Sequence, residues 1–470
     1  RRSAGASGGG LWGTGSVVTL KNSILALNTA ESGGMDYAAD YDSPGWFSPH
    51  NSVVGIAPGF MDPAGGNYRL NSVSPAINMG DNELVPSDAY DLDGDGNAGE
   101  PLPIDLAGQT RVVDGAVDIG AYEYQGAPSD DRETPSVVVT TPQDKVDAVD
   151  GQISLREAIY YAAYADIDRT VTFDPALDSR TIVLEQGALV LSGQVAIDAS
   201  DVGGIAIDGD GKDRIFVAWD SEADISLSGL TITGGVSNRH GGGMYFNGSS
   251  LAMNEVTVTG NQAHNRGGGL YLHSAEQVDM VGVVVRDNSA YYGGGVYLNY
   301  DSPMTLVDAD IRGNTAYSGG GLYLVGHATL ERVVVRDNLA ENSGGGIVNE
   351  NRSWQGITEL NEVLIEGNVA GVRGGGLYGG ATTKVARTTV RGNSARDGGG
   401  IFLSDDGIAG GVRVVGNAAT EHGGGVYTTG AEWPLVNMAI AGNTAGESGG
   451  GVYAEQQGTV ALDNTTVTGN

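Results

Sequence analysis

The sequence contains no cysteine, which excludes disulfide staples and thiolate metal centres but leaves the compartment open. Cations are scarce. Lysine and arginine total 25 against 58 acidic residues, a formal net charge of −33. Binding to duplex nucleic acid needs a basic footprint, and none is visible at whole-chain level. No apolar run approaches the roughly 20 residues that span a bilayer. The chain starts at Arg1 without the apolar core of a signal peptide, so it reads as a mature product or a piece of a longer chain. Helical periodicity is almost absent. Glycine is plentiful, at 78 residues against 14 prolines. Much of it falls in triplets, which fits neither collagen nor low-complexity disorder. The carboxylate excess suits an extracellular surface and calcium binding.

The triplets begin at Gly241, Gly267, Gly293, Gly319, Gly344, Gly374, Gly398, Gly423 and Gly449, at spacings of 24 to 30 residues. Such a period signifies a solenoid or array. Most triplets are followed by an aliphatic and then an aromatic residue, as in "GGGLY" and "GGGVY". Before each lies a strand ending in asparagine, such as "VVVRDN" or "VTVTGN". Three residues before each asparagine stand Val258, Val285, Ile311, Val335, Ile365, Val390, Val414, Ile440 and Val467. All are β-branched aliphatics, whereas the next position varies freely. One apolar register under period-two alternation is a strand with one buried face.

Several short strands per ~25 residues without helix predict an all-β parallel β-helix, since a propeller blade needs roughly 40 residues. The glycines then supply corners with positive φ or close backbone approach. Asn261, Asn288, Asn314, Asn338, Asn368, Asn393, Asn417, Asn443 and Asn470 are predicted to stack as an amide ladder inside a turn, each donating to one coil and accepting from another. This pattern resembles the paired GGA(I/L) and FxxN repeats of the chlamydial polymorphic outer membrane proteins and related bacterial β-helices. Here Gly and Val or Ile replace that family's Ala and Phe. The resemblance covers 241–470 and implies a right-handed solenoid; it says little about activity.

Residues 150–166, "DGQISLREAIYYAAYAD", are the one good helix, opened by a Ser154–Glu157 capping box. The stretch resembles the CSLREA motif that opens many secreted bacterial β-helix proteins, with Ile153 in place of its cysteine. The resemblance implies a helix capping the open end of a solenoid. Residues 136–240 therefore read as cap and first coils, and 241–470 as regular coils. Upstream, "NYRLNSVSPAINMGDN", "DLDGDGNAGEPLPIDLAGQTRVVDG" and "VDIGAYEYQG" resemble the closing segment of choice-of-anchor proteins. Residues 1–125 thus read as the end of a solenoid, and 126–135 as a linker. Joined end to start, the text continues the repeat, with Gly8 opening a triplet, Trp12 in the aromatic place, Leu25 in the buried place and Asn28 on the ladder. Arg1, Gly8, Trp12, Val467 and Asn470 are accordingly expected at a seam where identical units continue head to tail, covalently or by strand-edge pairing.

Three regions are candidate sites. "DLDGDGNAGE" sets Asp91, Asp93 and Asp95 at alternating positions around Gly96, with Asn97 next and Glu100 reaching in, a donor set for calcium. Arg286, Arg312, Arg336 and Arg391 share an outward register that is either a stripe for acidic polysaccharide or, with Glu366, a solvated charge ladder. Tyr245, Tyr271, Tyr297 and Tyr323 share another, either a sugar-binding row or coil-to-coil stacking. Parallel β-helices include polysaccharide lyases and hydrolases, but such chemistry needs paired carboxylates. Asp287 and Asp337 share a register two coils apart, roughly 10 Å, too far for a retaining pair. The sequence therefore predicts a non-enzymatic structural module of an extracellular bacterial fibre or surface stalk. A glycan-binding adhesin is the alternative, and a polysaccharide-cleaving enzyme ranks behind both.

Overall fold

The computed structural model describes residues 11–13, 18–26, 37–39, 47–50, 52–54, 58–127, 129, 131–164, 167–299, 302–350, 356–380, 382–404, 407–429, 432–455 and 459–470. They form two units, Arg1–Gly203 with Ala218–Ile225, and Gly204–Val217 with Ser226–Asn470. Arg1, Gly8 and Asn28 lie outside the described residues, as does the side chain of Trp12.

The second unit is built from coils of four short strands. One coil comprises Gln277–Val281, Val284–Arg286, Ser289–Tyr292 and Val296–Leu298. The next lies on it in parallel register, pairing Val278 with Met304, Val285 with Ile311, Ala290 with Ala316 and Tyr297 with Tyr323. Repetition gives a parallel β-solenoid of about 11 turns. One of its sheets runs in this unit from Ile205–Asp208 to Thr466–Thr468. Alternation explains the strands: Val285 is fully buried between two half-exposed neighbours. The residue before each ladder asparagine is Gly260, Asp287, Gly313, Asp337, Gly367, Gly392, Gly416, Gly442 or Gly469, with φ between 56° and 67°. That left-handed corner explains why the position varies only between glycine and aspartate.

The first unit begins with parallel pairs, Leu11–Gly13 with Tyr37–Ala39, Val18–Lys21 with Phe47–His50, and Ile24–Leu25 with Val53–Val54. An antiparallel hairpin follows, Phe60–Asp62 with Asn67–Leu70. The helix runs from Leu155 to Tyr164, shorter than the stretch expected. Its start is a reciprocal box: Ser154 N–H donates to Glu157 Oε2 at 2.8 Å, and Glu157 N–H to Ser154 Oγ at 3.2 Å. Arg156 is buried on the helix and grips Asp144 with two bonds of 2.8 and 2.9 Å, then spends its remaining donors on the carbonyls of Gly187 and Ala188. Tyr160 Oη donates to Pro75 O at 3.2 Å. Within the stretch expected as a linker, Ser129 N–H donates to Ser72 O and Glu133 N–H to Ala148 O.

Candidate functional site

The acidic loop is held by its own backbone. Asp91 sits at φ 50°, Gly94 at 77° and Gly96 at 87°, curling the segment so that side-chain oxygens face inward. Asp91 Oδ1 accepts from Gly96 N–H at 3.1 Å and Asp95 Oδ1 from Asn97 N–H at 2.7 Å, while Asn97 Nδ2 donates to Glu100 Oε2 at 3.2 Å. The carboxylates form two overlapping clusters, Asp88–Asp91–Asp93 and Asp93–Asp95–Glu100, with one oxygen from each member within 4.8 Å of the others. Asp88 is only 1% exposed; its Oδ2 accepts from Leu92 N–H, and its Oδ1 has no hydrogen-bond partner. Glu100 Oε1 is likewise buried without one. Partial burial and the charges of Asp95, Asp93 and Asp88 push the Glu100 carboxyl above its ordinary pKa. Crowded carboxylates with orphaned oxygens offer the hard ligand set that calcium takes. Sequence reasoning missed Asp88, which precedes the alternating motif and joins it only because the chain turns at Asp91.

The asparagines in the second unit form a continuous ladder. Asn314 Nδ2 donates to Asn338 Oδ1 at 3.0 Å and to Val285 O at 2.9 Å, and Asn314 N–H donates to the same Asn338 oxygen. The pattern repeats from Asn261 through Asn288, Asn368, Asn393, Asn417 and Asn443 to Asn470. Every rung from Asn261 to Asn443 is at most 1% exposed.

The tyrosine row is buried. Tyr245, Tyr271, Tyr297 and Tyr323 are 1 to 6% exposed, with successive centroids 5.2, 5.5 and 5.0 Å apart. The rings stack coil on coil and do not offer open faces. A second set of residues covers them, which sequence reasoning did not single out. At five of the nine triplets the residue immediately before the glycines, His240, Arg266, Tyr292, Arg373 or His422, lies against the aromatic ring of the following coil. His240 stacks on Tyr271 at 4.6 Å and His422 on Tyr453 at 4.6 Å, while the guanidinium carbons of Arg266 and Arg373 lie 5.1 and 5.0 Å from the Tyr297 and Phe402 centroids. The signal was available as a cationic or ring residue recurring just before "GGG". The exposed rings are elsewhere: Tyr291 stacks on Tyr317 at 4.6 Å and 11° and is itself 45% exposed.

The arginine register faces outward, and each member has an acid beside it. Arg286 pairs with Asp287, Arg312 with Asp310, Arg336 with Asp310 and Asp337, and Arg391 with Glu366. Arg336 therefore reaches Asp310 and Asp337, whereas the sequence suggested Glu366. Four arginines against four acids leave a neutral lattice along this face.

Buried groups in the two units set opposing pH windows. Burial, only partly offset by Arg111 at 3.3 Å, pushes Glu123 up to about 8, and burial beside Glu157 and Asp150 pushes Glu133 up to about 7. Both lie in the first unit. Their stabilising contribution is complete below the unfolded carboxyl pKa of ~4.5 and is lost as pH rises through 7 to 8. His240, in the second unit, is held neutral by burial and by Arg266, Arg214 and Arg239, its pKa lowered to about 3. Its contribution is complete above ~6.5 and is lost as pH falls toward 3. Calorimetry across pH 4 to 9 is expected to show the first unit weakening on the alkaline side and the second on the acid side. Glu123→Gln should flatten the alkaline limb; an unchanged limb would refute the assignment.

Residues 213–393 match the family model described as a right handed beta helix region. No curated protein and no solved structure gives a significant match.

Proposed function

We propose that the chain is a structural rod module of an extracellular fibre or surface stalk, extended by further coils of the same pattern. The observation that carries this reading is the stacking of coil on coil, tied by an asparagine ladder that runs without a missing rung from Asn261 to Asn470. Because each coil pairs with its neighbours through the same strands and the same asparagine, such a stack can be lengthened by further coils of this pattern, on the same polypeptide or an identical one. The acid excess, 58 against 25, fits an extracellular setting and lateral repulsion between rods. A non-catalytic role is supported by the paired aspartates the sequence raised: Asp287 and Asp337 are exposed corner residues, each ion-paired to the arginine before it.

Calcium at Asp91, Asp93, Asp95, Asn97 and Glu100, with Asp88 added, is proposed to stiffen the first unit. Millimolar Ca²⁺ should raise that unit's melting midpoint and protect 88–100 from proteolysis, more strongly at pH 8 than at pH 5, because Glu100 must give up its proton. Asp88→Asn should remove most of the gain. No response to Ca²⁺ at pH 8 would end the calcium reading.

One observation favours the glycan-binding alternative, the parallel pair of exposed Tyr291 and half-buried Tyr317. A panel of acidic and neutral polysaccharides separates the two. The structural reading expects no saturable binding, whereas binding lost on Tyr291→Ala would establish the adhesin.

A further inference from the structure

Where the second unit departs from its own regularity, a different group of ligands meets. The strand Ser394–Asp397 pairs with Ala418–His422 in step at Ser394 and Ala395, then slips by one residue, so that Asp397 faces His422 and not Glu421. Bulges of this kind re-aim side chains, often beside functional sites. One oxygen each from Asp397 and Glu421 and one ring nitrogen of His422 lie within 4.8 Å of one another. Asp397 is 7% exposed, and its Oδ1 has no hydrogen-bond partner; nor has the buried Nδ1 of His422.

The surroundings orient these atoms and leave them to a ligand. Arg396 Nε engages the other oxygen of Asp397 at 3.1 Å and lies 3.5 Å from Glu421 Oε2. His422 Nε2 faces Glu447 Oε2 at 3.5 Å, and its ring is held flat on Tyr453 at 4.6 Å and 13°. A histidine with one nitrogen toward a carboxylate and the other buried without a partner, in a ring close to two further carboxylates, has the arrangement of a metal-ligating imidazole. Three carboxylates against one guanidinium leave the pocket negative. Glu421 is 45% exposed at its side chain and His422 26%, which gives an ion a way in.

We propose that Asp397, Glu421 and His422 bind a divalent transition-metal ion of the zinc class, pinning two adjacent coils where their strand register slips. A single imidazole with two carboxylates suits zinc or cobalt, with water completing the shell; calcium asks for six to eight oxygens. The site is distinct from the acidic loop, which offers no nitrogen donor.

Co²⁺ titration of the full chain, with millimolar Ca²⁺ present to occupy oxygen-only sites, tests the assignment. The expected result is one equivalent of Co²⁺ giving visible d–d bands, displaced by Zn²⁺. His422→Phe keeps a ring on Tyr453 but removes both nitrogens, and it should abolish the bands. Glu447→Gln should weaken binding by about 10-fold. Glu421→Gln, at an exposed position, serves as a second ligand variant should the histidine change disturb folding, and it too should weaken binding. His264→Gln, at an exposed histidine elsewhere in the unit, should leave the titration unchanged. Absence of the bands in the wild-type chain, or bands that persist in folded His422→Phe or are untouched in Glu421→Gln, would overturn the proposal.

Discussion

Replacing Asn338 with alanine is expected to destabilise the coils around it by about 4 kcal/mol. That magnitude follows from the groups the amide now satisfies. Asn338 Oδ1 accepts from both Asn314 N–H and Asn314 Nδ2 at 3.0 Å, and Asn338 Nδ2 donates to Ile311 O at 2.9 Å and to Asn368 Oδ1 at 3.0 Å. Alanine leaves two buried donors and one carbonyl short of a partner, each costing roughly 1–3 kcal/mol where water cannot reach. The same change at Asn470, which is exposed, should cost about 1 kcal/mol because solvent replaces the lost bonds. Asn338→Asp is more diagnostic still. It keeps an acceptor for Asn314 but turns an oxygen toward Asn368 Oδ1 and Ile311 O, so stability should recover on acidification as the carboxyl regains a proton to donate. A solenoid unfolds by segments, not all at once, so amide exchange coil by coil is the suitable readout. The loss should centre on 310–340. A uniform small loss, or none, would mean that the ladder decorates a core that stands without it.

Gly345→Ala is expected to break the solenoid locally, at a cost above about 4 kcal/mol. A methyl group there would stand 2.5 Å from Gly375 O, 2.5 Å from Val369 O and 2.6 Å from the Val369 carbonyl carbon. All three are backbone atoms, so no rotamer change relieves the clash, and the coils must part. Gly416 makes the contrast. It has φ 65°, and a methyl group on its Cα would meet no atom within 4 Å, so Gly416→Ala should cost only the left-handed strain, about 1 kcal/mol. Gly416→Asp should cost less, because Asp287 and Asp337 already occupy that corner at φ 56°. Two glycine positions of the repeat thus answer different needs, one for room and one for backbone conformation. Equal losses at both positions would contradict the packing described.

The solenoid was legible because each coil repeats the same constraints. A β-branched residue three places before asparagine fixes the buried face, and Gly or Asp before the asparagine fixes the corner. The capping box was legible for a similar local reason, since Ser154 and Glu157 need only each other. What could not be read depends on contacts at separations the period does not dictate. Tyr160 meets Pro75 across 85 residues, and Asn22 Nδ2 donates to Asp81 O across 59. Nothing in a one-dimensional pattern brings those segments together. Asp88 joins the acidic loop through a backbone turn that motif spacing does not encode. Asp397 and His422 are matched by the triplets at Gly398 and Gly423, but they stand one residue out of step with the register at Ala395, and that slip, which brings Glu421 beside them, is not visible in the period. The position before each triplet was periodic and visible, but it holds histidine, arginine or tyrosine in some coils and serine or aspartate in others, which hides the covering role of the first group until the coils are stacked.

The most direct test of the structural rod is sedimentation of the purified chain over a range of concentrations, alongside Val467→Pro. Thr466 N–H already donates to Met438 O at 2.9 Å, so in the strand Thr466–Thr468 the donor turned the other way is that of Val467, and proline there removes it. A rod module should show concentration-dependent end-to-end growth in the wild type and none in the variant. A wild type that stays a monomer at every concentration, or a variant that assembles equally well, would contradict a rod extended by identical chains.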